Sequence, residues 1–146
     1  MNENIEIFDI NDQYLPIKID ESALKEIHKI QARNEEKILC IIIKGGGCSA
    51  YSYEFLIDKL ENIVKEDDGN NNTNDDYEEI IMVKKNQWIL ITHEKSPIVI
   101  IDSLHIKYIV NSTLEYQNSL IKKGFKISNN PQSSSGCGCG KSFNLK

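Results

Sequence analysis

The chain has no excess of positive charge, no long apolar run, no signal-like leader and no internal repeat. Lys and Arg number 17 against 22 Asp and Glu, a net charge of −5. A phosphate backbone wants a basic stripe, so nucleic-acid binding is excluded. The longest apolar run, ILCIII at 38–43, is far below the roughly 20 residues a spanning helix needs, so no membrane role is indicated. The opening MNENIEIFDINDQY lacks a basic start, an apolar stretch and a small-residue cleavage site, which argues against a targeting peptide in the sequence as it stands. KGGGCS lacks the Gly-Lys-Ser/Thr ending of a phosphate loop, no C-x-x-C occurs, and no nucleophile with its base is recognisable. The chain reads as a binding module and not an enzyme.

What is present fits one α+β domain of 146 residues, large enough to bury roughly two-thirds of its unfolded surface. In PIKIDESALKEIHKIQARNEE, an extended piece leads to a helix capped by Asp20 or Ser22, with Ala23, Leu24, Ile27 and Ile30 on one stripe, ending near Asn34. KILCIIIK lacks polar alternation and predicts a strand buried on both faces. YSYEFLID predicts a half-buried strand with Tyr51, Tyr53, Phe55 and Ile57 on one face. Residues 61–79 turn acidic and Asn-rich and read as a flexible insert. Further strands follow, with turn signals at Asn86, Pro97 and Gly124 and a short helix in SLHIKYIVNS. The chain closes on a loop and a flexible Cys-bearing tail.

Four cysteines without a secretory signal argue for a reducing compartment, and for metal or thiol chemistry over a disulfide framework. In SSSGCGCGKSFNLK, Cys137 and Cys139 lie two apart. In an extended segment that spacing points both sulfurs one way. They are poorly spaced for an unstrained disulfide with each other, but two such thiolates can chelate one ion. Cys48 sits after three glycines between two strands, where N–H groups can face a thiolate or sulfide. Three thiolates are one short of the usual four, and two copies sharing a site would repair the deficit. Cys40, mid-strand, reads as a buried small hydrophobe. His28, His93 and His105 read as structural, though each is a possible fourth ligand. A zinc or iron storage site with the same ligands, or a thiol redox function of the C-x-C tail, are the alternatives.

IKGGGCSAYSYEF together with NNPQSSSGCGCGKSF resembles the A-type iron–sulfur carrier family (IscA/SufA/HesB-like), and NNPQ…GCGCGKSFNLK most resembles its second mitochondrial paralogue. The resemblance covers 17–146 and leaves 1–16 as an N-terminal extension. It implies a small HesB-like domain of mixed sheets. It further implies that Cys48, Cys137 and Cys139 bind iron or an iron–sulfur cluster, [2Fe–2S] or [4Fe–4S]. The implied oligomer is a homodimer, or a heterodimer with another A-type carrier. A monothiol glutaredoxin would donate clusters, and apo iron–sulfur proteins, chiefly of the [4Fe–4S] type, would receive them. The implied location is the mitochondrial matrix, with the cytosol as the alternative. Ala50 stands where the family usually has a glycine and Asn111-Ser112 where it has a Gly-Ala or Gly-Ser pair, and Asn tolerates a left-handed backbone.

Overall fold

The computed structural model describes residues 4–45, 50–65, 83–84, 87–136 and 142–145. Strand β1 (Asn4–Asp9) and the short β2 (Lys18–Ile19) precede helix α1 (Glu21–Arg33). Strands β3 (Lys37–Gly45) and β4 (Ala50–Lys59) follow, then a single turn α2 (Leu60–Ile63). The two-residue β5 (Val64–Lys65) and β6 (Val83–Lys84) pair in parallel. Strands β7 (Gln87–His93) and β8 (Ser96–Asp102) form a hairpin, followed by a 3₁₀ turn at Ile106–Tyr108. The chain ends in β9 (Thr113–Asn118), β10 (Lys123–Ser128), β11 (Ser133–Gly136) and β12 (Ser142–Leu145). The main sheet is mixed, in the order β1-β7-β8-β3-β4-β12-β11, and a smaller sheet has the order β10-β9-β2.

Helix α1 starts where Asp20 caps it: Oδ2 accepts from Ser22 N at 3.0 Å and from Ser22 Oγ at 2.6 Å. These hydrogen bonds hold the Asp20 carboxyl below its ordinary range. Ser22 Oγ also accepts from Tyr116 N at 3.0 Å, which fastens the helix start to β9. At the other end Gln31 Nε2 donates to the carbonyls of Lys37 and Pro97, both at 2.9 Å, locking α1 onto β3 and β8. Ala23 and Ile27 are buried, as the stripe requires.

Strand β3 is the spine of the core. Leu39, Ile41 and Ile43 pack with Ile27, Ile91, Val99 and Ile101 on the α1 side. Ile38, Cys40 and Ile42 pack with Ile63, Leu90 and Ile100 on the other. A run without polar alternation is what a strand covered on both faces needs. Tyr53 belongs to the α1-side core, and Tyr51, Phe55 and Ile57 pack against it, as the alternation of β4 predicts.

Several expectations need correction. The β9–β10 turn lies at Ser119–Lys122, where Ser119 N donates to Lys122 O at 2.9 Å, and Gly124 sits inside β10 at φ 149°. Pro97 is within β8, and the turn before it is made by Glu94 and Lys95, both at positive φ. Pro is tolerated there because the β7–β8 register is irregular between Ile91 and Thr92. The segment 1–16 contributes β1, whose hydrogen-bonding partner is β7 in parallel. Glu61–Lys65 form α2 and part of β5; 66–79, the rest of the expected insert, lies outside the described residues, as does Asn86. The tail is not simply loop: β11 and β12 join the main sheet on either side of the cysteine pair.

Candidate functional site

Cys48, Cys137 and Cys139 all lie outside the described residues; the structure describes what flanks them. Gly45 pairs with Tyr51, Tyr51 with Phe143, and Phe143 with Gly136. One crosswise row of four strands therefore carries the residue three before Cys48 and the residue immediately before Cys137. With neighbouring strands ~4.8 Å apart, Gly45 and Gly136 are ~14 Å apart along this row. Strand β11 runs parallel to β4 and opposite to β3, so the chain leaves Gly45 and Gly136 on opposite sides of the row. Register thus puts the described residues that precede Cys48 and Cys137 on one crosswise row of the main sheet.

The corner has a braced wall. The Tyr51 ring packs on Tyr108 at 5.0 Å between centroids, and Lys107 Nζ lies 5.2 Å from the Tyr108 centroid. Asn130 Nδ2 donates to Tyr53 Oη at 2.8 Å and to the Tyr108 carbonyl at 2.9 Å. Gln132 Nε2 donates to the Val110 carbonyl at 2.9 Å and to Asn130 Oδ1 at 2.7 Å, while Gln132 N donates to the same Oδ1 at 3.0 Å. Burial pushes the Tyr53 phenol up, partly offset by the Asn130 hydrogen bond. The amide pair thus clamps the entry to β11 onto β4 and onto the segment around the 3₁₀ turn. Sequence reasoning met Asn130 and Gln132 only within the NNPQ stretch of the resemblance and assigned neither a structural role.

The remaining candidates separate clearly. Cys40 is fully buried, as a small hydrophobe in mid-strand should be, and burial followed by the Asp102 charge pushes its thiol up to about 12. His28 Nε2 and His93 Nδ1 meet at 3.1 Å and tie α1 to the end of β7. His105 Nδ1 accepts from Ile43 N at 3.4 Å, and burial lowers its pKa against the opposing pull of the Asp102 carboxylate. Among the described residues no group of three or more His, Cys, Asp or Glu could hold a metal ion. None of their helices is long and apolar enough to cross a membrane.

No family model matches the chain. It is 37% identical over 131 residues to the iron–sulfur cluster assembly protein SufA of Plasmodium falciparum (isolate 3D7), covering 88% of this chain and 62% of that protein. To the iron–sulfur assembly protein IscA1 of the same organism it is 33% identical over 131 residues, covering 88% and 68%. To the mitochondrial iron–sulfur cluster assembly 2 homolog of Dictyostelium discoideum it is 26% identical over 148 residues, covering 100% and 56%. The chain spans 64% and 62% of the length of the SufA proteins of two Plasmodium species. The crystal structure of Escherichia coli SufA superposes with a TM-score of 0.55 at 15% identity, covering 92% of this chain and 97% of that one. That of IscA with a [2Fe–2S] cluster gives 0.54 at 18%, covering 89% and 97%. These two share the small α+β fold with mixed sheets. The chain belongs to the A-type iron–sulfur carrier family, among proteins of the IscA and SufA type. Its relatives include both SufA proteins and mitochondrial assembly 2 homologs.

Proposed function

We propose that the protein is a carrier in iron–sulfur cluster assembly, a binding and transfer module without catalysis of its own. Cys48, Cys137 and Cys139 hold iron or a [2Fe–2S] or [4Fe–4S] cluster as cargo, shared between two copies. The observation that supports the reading is the row Gly45–Tyr51–Phe143–Gly136, which puts the described residues preceding Cys48 and Cys137 on one crosswise line of the main sheet. The opposite exits from that row, and three thiolates where four are usual, favour completion by a second copy. Relatives named for cluster assembly and insertion point the same way, as does a neighbour crystallised with a [2Fe–2S] cluster. Transfer is ligand exchange. An incoming thiol of the apo acceptor gives up its proton and binds iron, and the departing cysteine thiolate takes a proton, with no net oxidation. Recipients are apo iron–sulfur proteins, chiefly of the [4Fe–4S] type, and a monothiol glutaredoxin is the donor. The matrix of mitochondria is the proposed location, in keeping with the mitochondrial relatives.

The test is anaerobic reconstitution with iron and sulfide, followed by visible absorption. The chromophore is expected in the wild type and in Cys40→Ala, and is lost in Cys48→Ser, Cys137→Ser and Cys139→Ser. A colourless protein that takes up zinc in its place, or equal loss in Cys40→Ala, overturns the reading.

A further inference from the structure

Two surfaces of the chain complement each other in polarity and charge. The first is the tip of the β9–β10 hairpin, where Leu120 and Ile121 are 105% and 89% exposed. These central turn positions favour Gly, Asn and Asp, not large aliphatic residues. The turn is nevertheless held firmly. Ser119 Oγ donates to the Lys122 carbonyl at 3.1 Å and accepts from Lys122 N at 3.0 Å, besides the Ser119 N bond to the same carbonyl. Lys122 and Lys123, both exposed, follow directly. The hairpin is an apolar knob with a basic collar.

The second is an open groove of about 570 Å³ formed where α2 and β5 meet β3, β7 and β8. Its apolar floor includes Leu60, Val64 and Trp88, and its rim carries Glu35, Glu36 and Glu61. The rim's Lys59 stands 4.0 Å from Glu36, so it is already engaged by one of these carboxylates. The groove is an apolar slot with an acidic collar, wide enough for two aliphatic side chains. We propose that it receives the Leu120–Ile121 knob of a second copy of this chain, with Lys122 and Lys123 against the rim carboxylates. Each copy brings one knob and one groove, so the contact joins copies knob to groove, closing a ring where the rotation between copies allows and otherwise continuing head to tail. The contact uses no cysteine, so it stands apart from any bridging by a shared cluster.

Trp88 is the sole tryptophan, so its emission reports the groove directly. The experiment uses the full chain, reduced and with chelator so that no metal bridges copies, in sedimentation across the micromolar range with Trp88 fluorescence in parallel. The wild type is expected to self-associate with a concentration-dependent change in emission. Leu120→Asn/Ile121→Gly installs a favourable turn and keeps or raises the melting temperature. It is expected to weaken association by at least about tenfold and to abolish the emission change. Lys122→Glu/Lys123→Glu and Glu35→Lys/Glu61→Lys are each expected to weaken it alone. Mixed, they restore it, because each reversed knob then faces a reversed groove. A wild type that stays monomeric overturns the proposal. So does a knob variant that associates unchanged, or a mixture of the two charge-reversed variants that fails to recover. Binding of the knob to anionic vesicles while the protein stays monomeric assigns it to a lipid surface instead.

Discussion

Asn130 and Tyr53, 77 positions apart in sequence, are joined by a 2.8 Å hydrogen bond from the Asn130 amide to the phenol oxygen. The same amide nitrogen serves the Tyr108 carbonyl, and its oxygen takes two hydrogen bonds from Gln132. One side chain therefore binds β4, the 3₁₀ turn and the approach to β11. Since β11 leads directly to Cys137, this clamp sets where the tail begins.

Asn130→Ala removes the hub and leaves the partly buried Gln132 amide and the Tyr108 carbonyl each short of a partner. A loss of about 2–3 kcal/mol is expected, against about 1 kcal/mol for Tyr53→Phe, which spares the other three contacts. Urea unfolding monitored at Trp88 checks both. Beyond stability, Asn130→Ala should lower the yield of reconstituted chromophore more than Tyr53→Phe does, because it frees the segment that carries two thiols. Equal yields would remove the clamp from the site.

Cys40 should behave unlike the other three cysteines. Fully buried and with its thiol pushed up to about 12, it should resist alkylation in the native protein and react only on unfolding. Mass spectrometry after a native pulse with iodoacetamide should show Cys40 unmodified. Because its folded pKa is above the unfolded value, the folded state holds the proton that the unfolded chain releases. This contribution to stability is complete below pH about 9 and declines as pH rises from there toward about 12. Cys40→Ser buries a hydroxyl among Ile38, Ile42 and Ile100 and should cost about 1–3 kcal/mol.

His105 carries the opposite sign. Burial lowers its pKa from the ordinary 6.5, and its Nδ1 accepts from Ile43 N, which requires the neutral ring. The unfolded chain therefore takes up a proton first as pH falls. Stability is full above pH about 6.5 and declines below it, toward the lower folded value. Chemical denaturation of the wild type should show this slope below neutrality, and His105→Gln should flatten it. An unchanged slope would assign the effect to other groups.

The sequence was most legible where one residue type answers one physical demand. The unbroken apolar run of β3 reads as a strand covered twice, and the cap was narrowed to Asp20 or Ser22, of which Asp20 serves. The flanks of the site were legible as chemistry but not as geometry. Three glycines and a C-x-C pair prompt the proposed ligand set, whereas the row that links their flanks depends on β12 pairing with β4, a long-range choice with no local signal. Gly124 misled because glycine reads as a turn; here Ser119 supplies the turn through its hydroxyl and glycine fits inside β10. Strand β1 was hidden by its polar residues, which suit an edge strand with Ile7 63% exposed.

Asn111 tests that lesson at one residue. Its φ of 68° is left-handed, and its N–H donates to the Pro16 carbonyl at 2.7 Å. The neighbouring Ser112 is fully buried, with its hydroxyl on the Ile109 carbonyl. Glycine, which the family resemblance leads one to expect here, would meet the same backbone demand by another route. Asn111→Gly should be nearly neutral, because glycine adopts the conformation without strain. Asn111→Ala should cost about 1–2 kcal/mol, the penalty of a left-handed backbone for a residue with a Cβ and no local hydrogen bond to offset it. Thermal unfolding of the two variants separates a conformational demand from a side-chain one. If both lose the same stability, the Asn111 side chain itself matters; if only Ala does, the departure from glycine is a substitution within one backbone requirement.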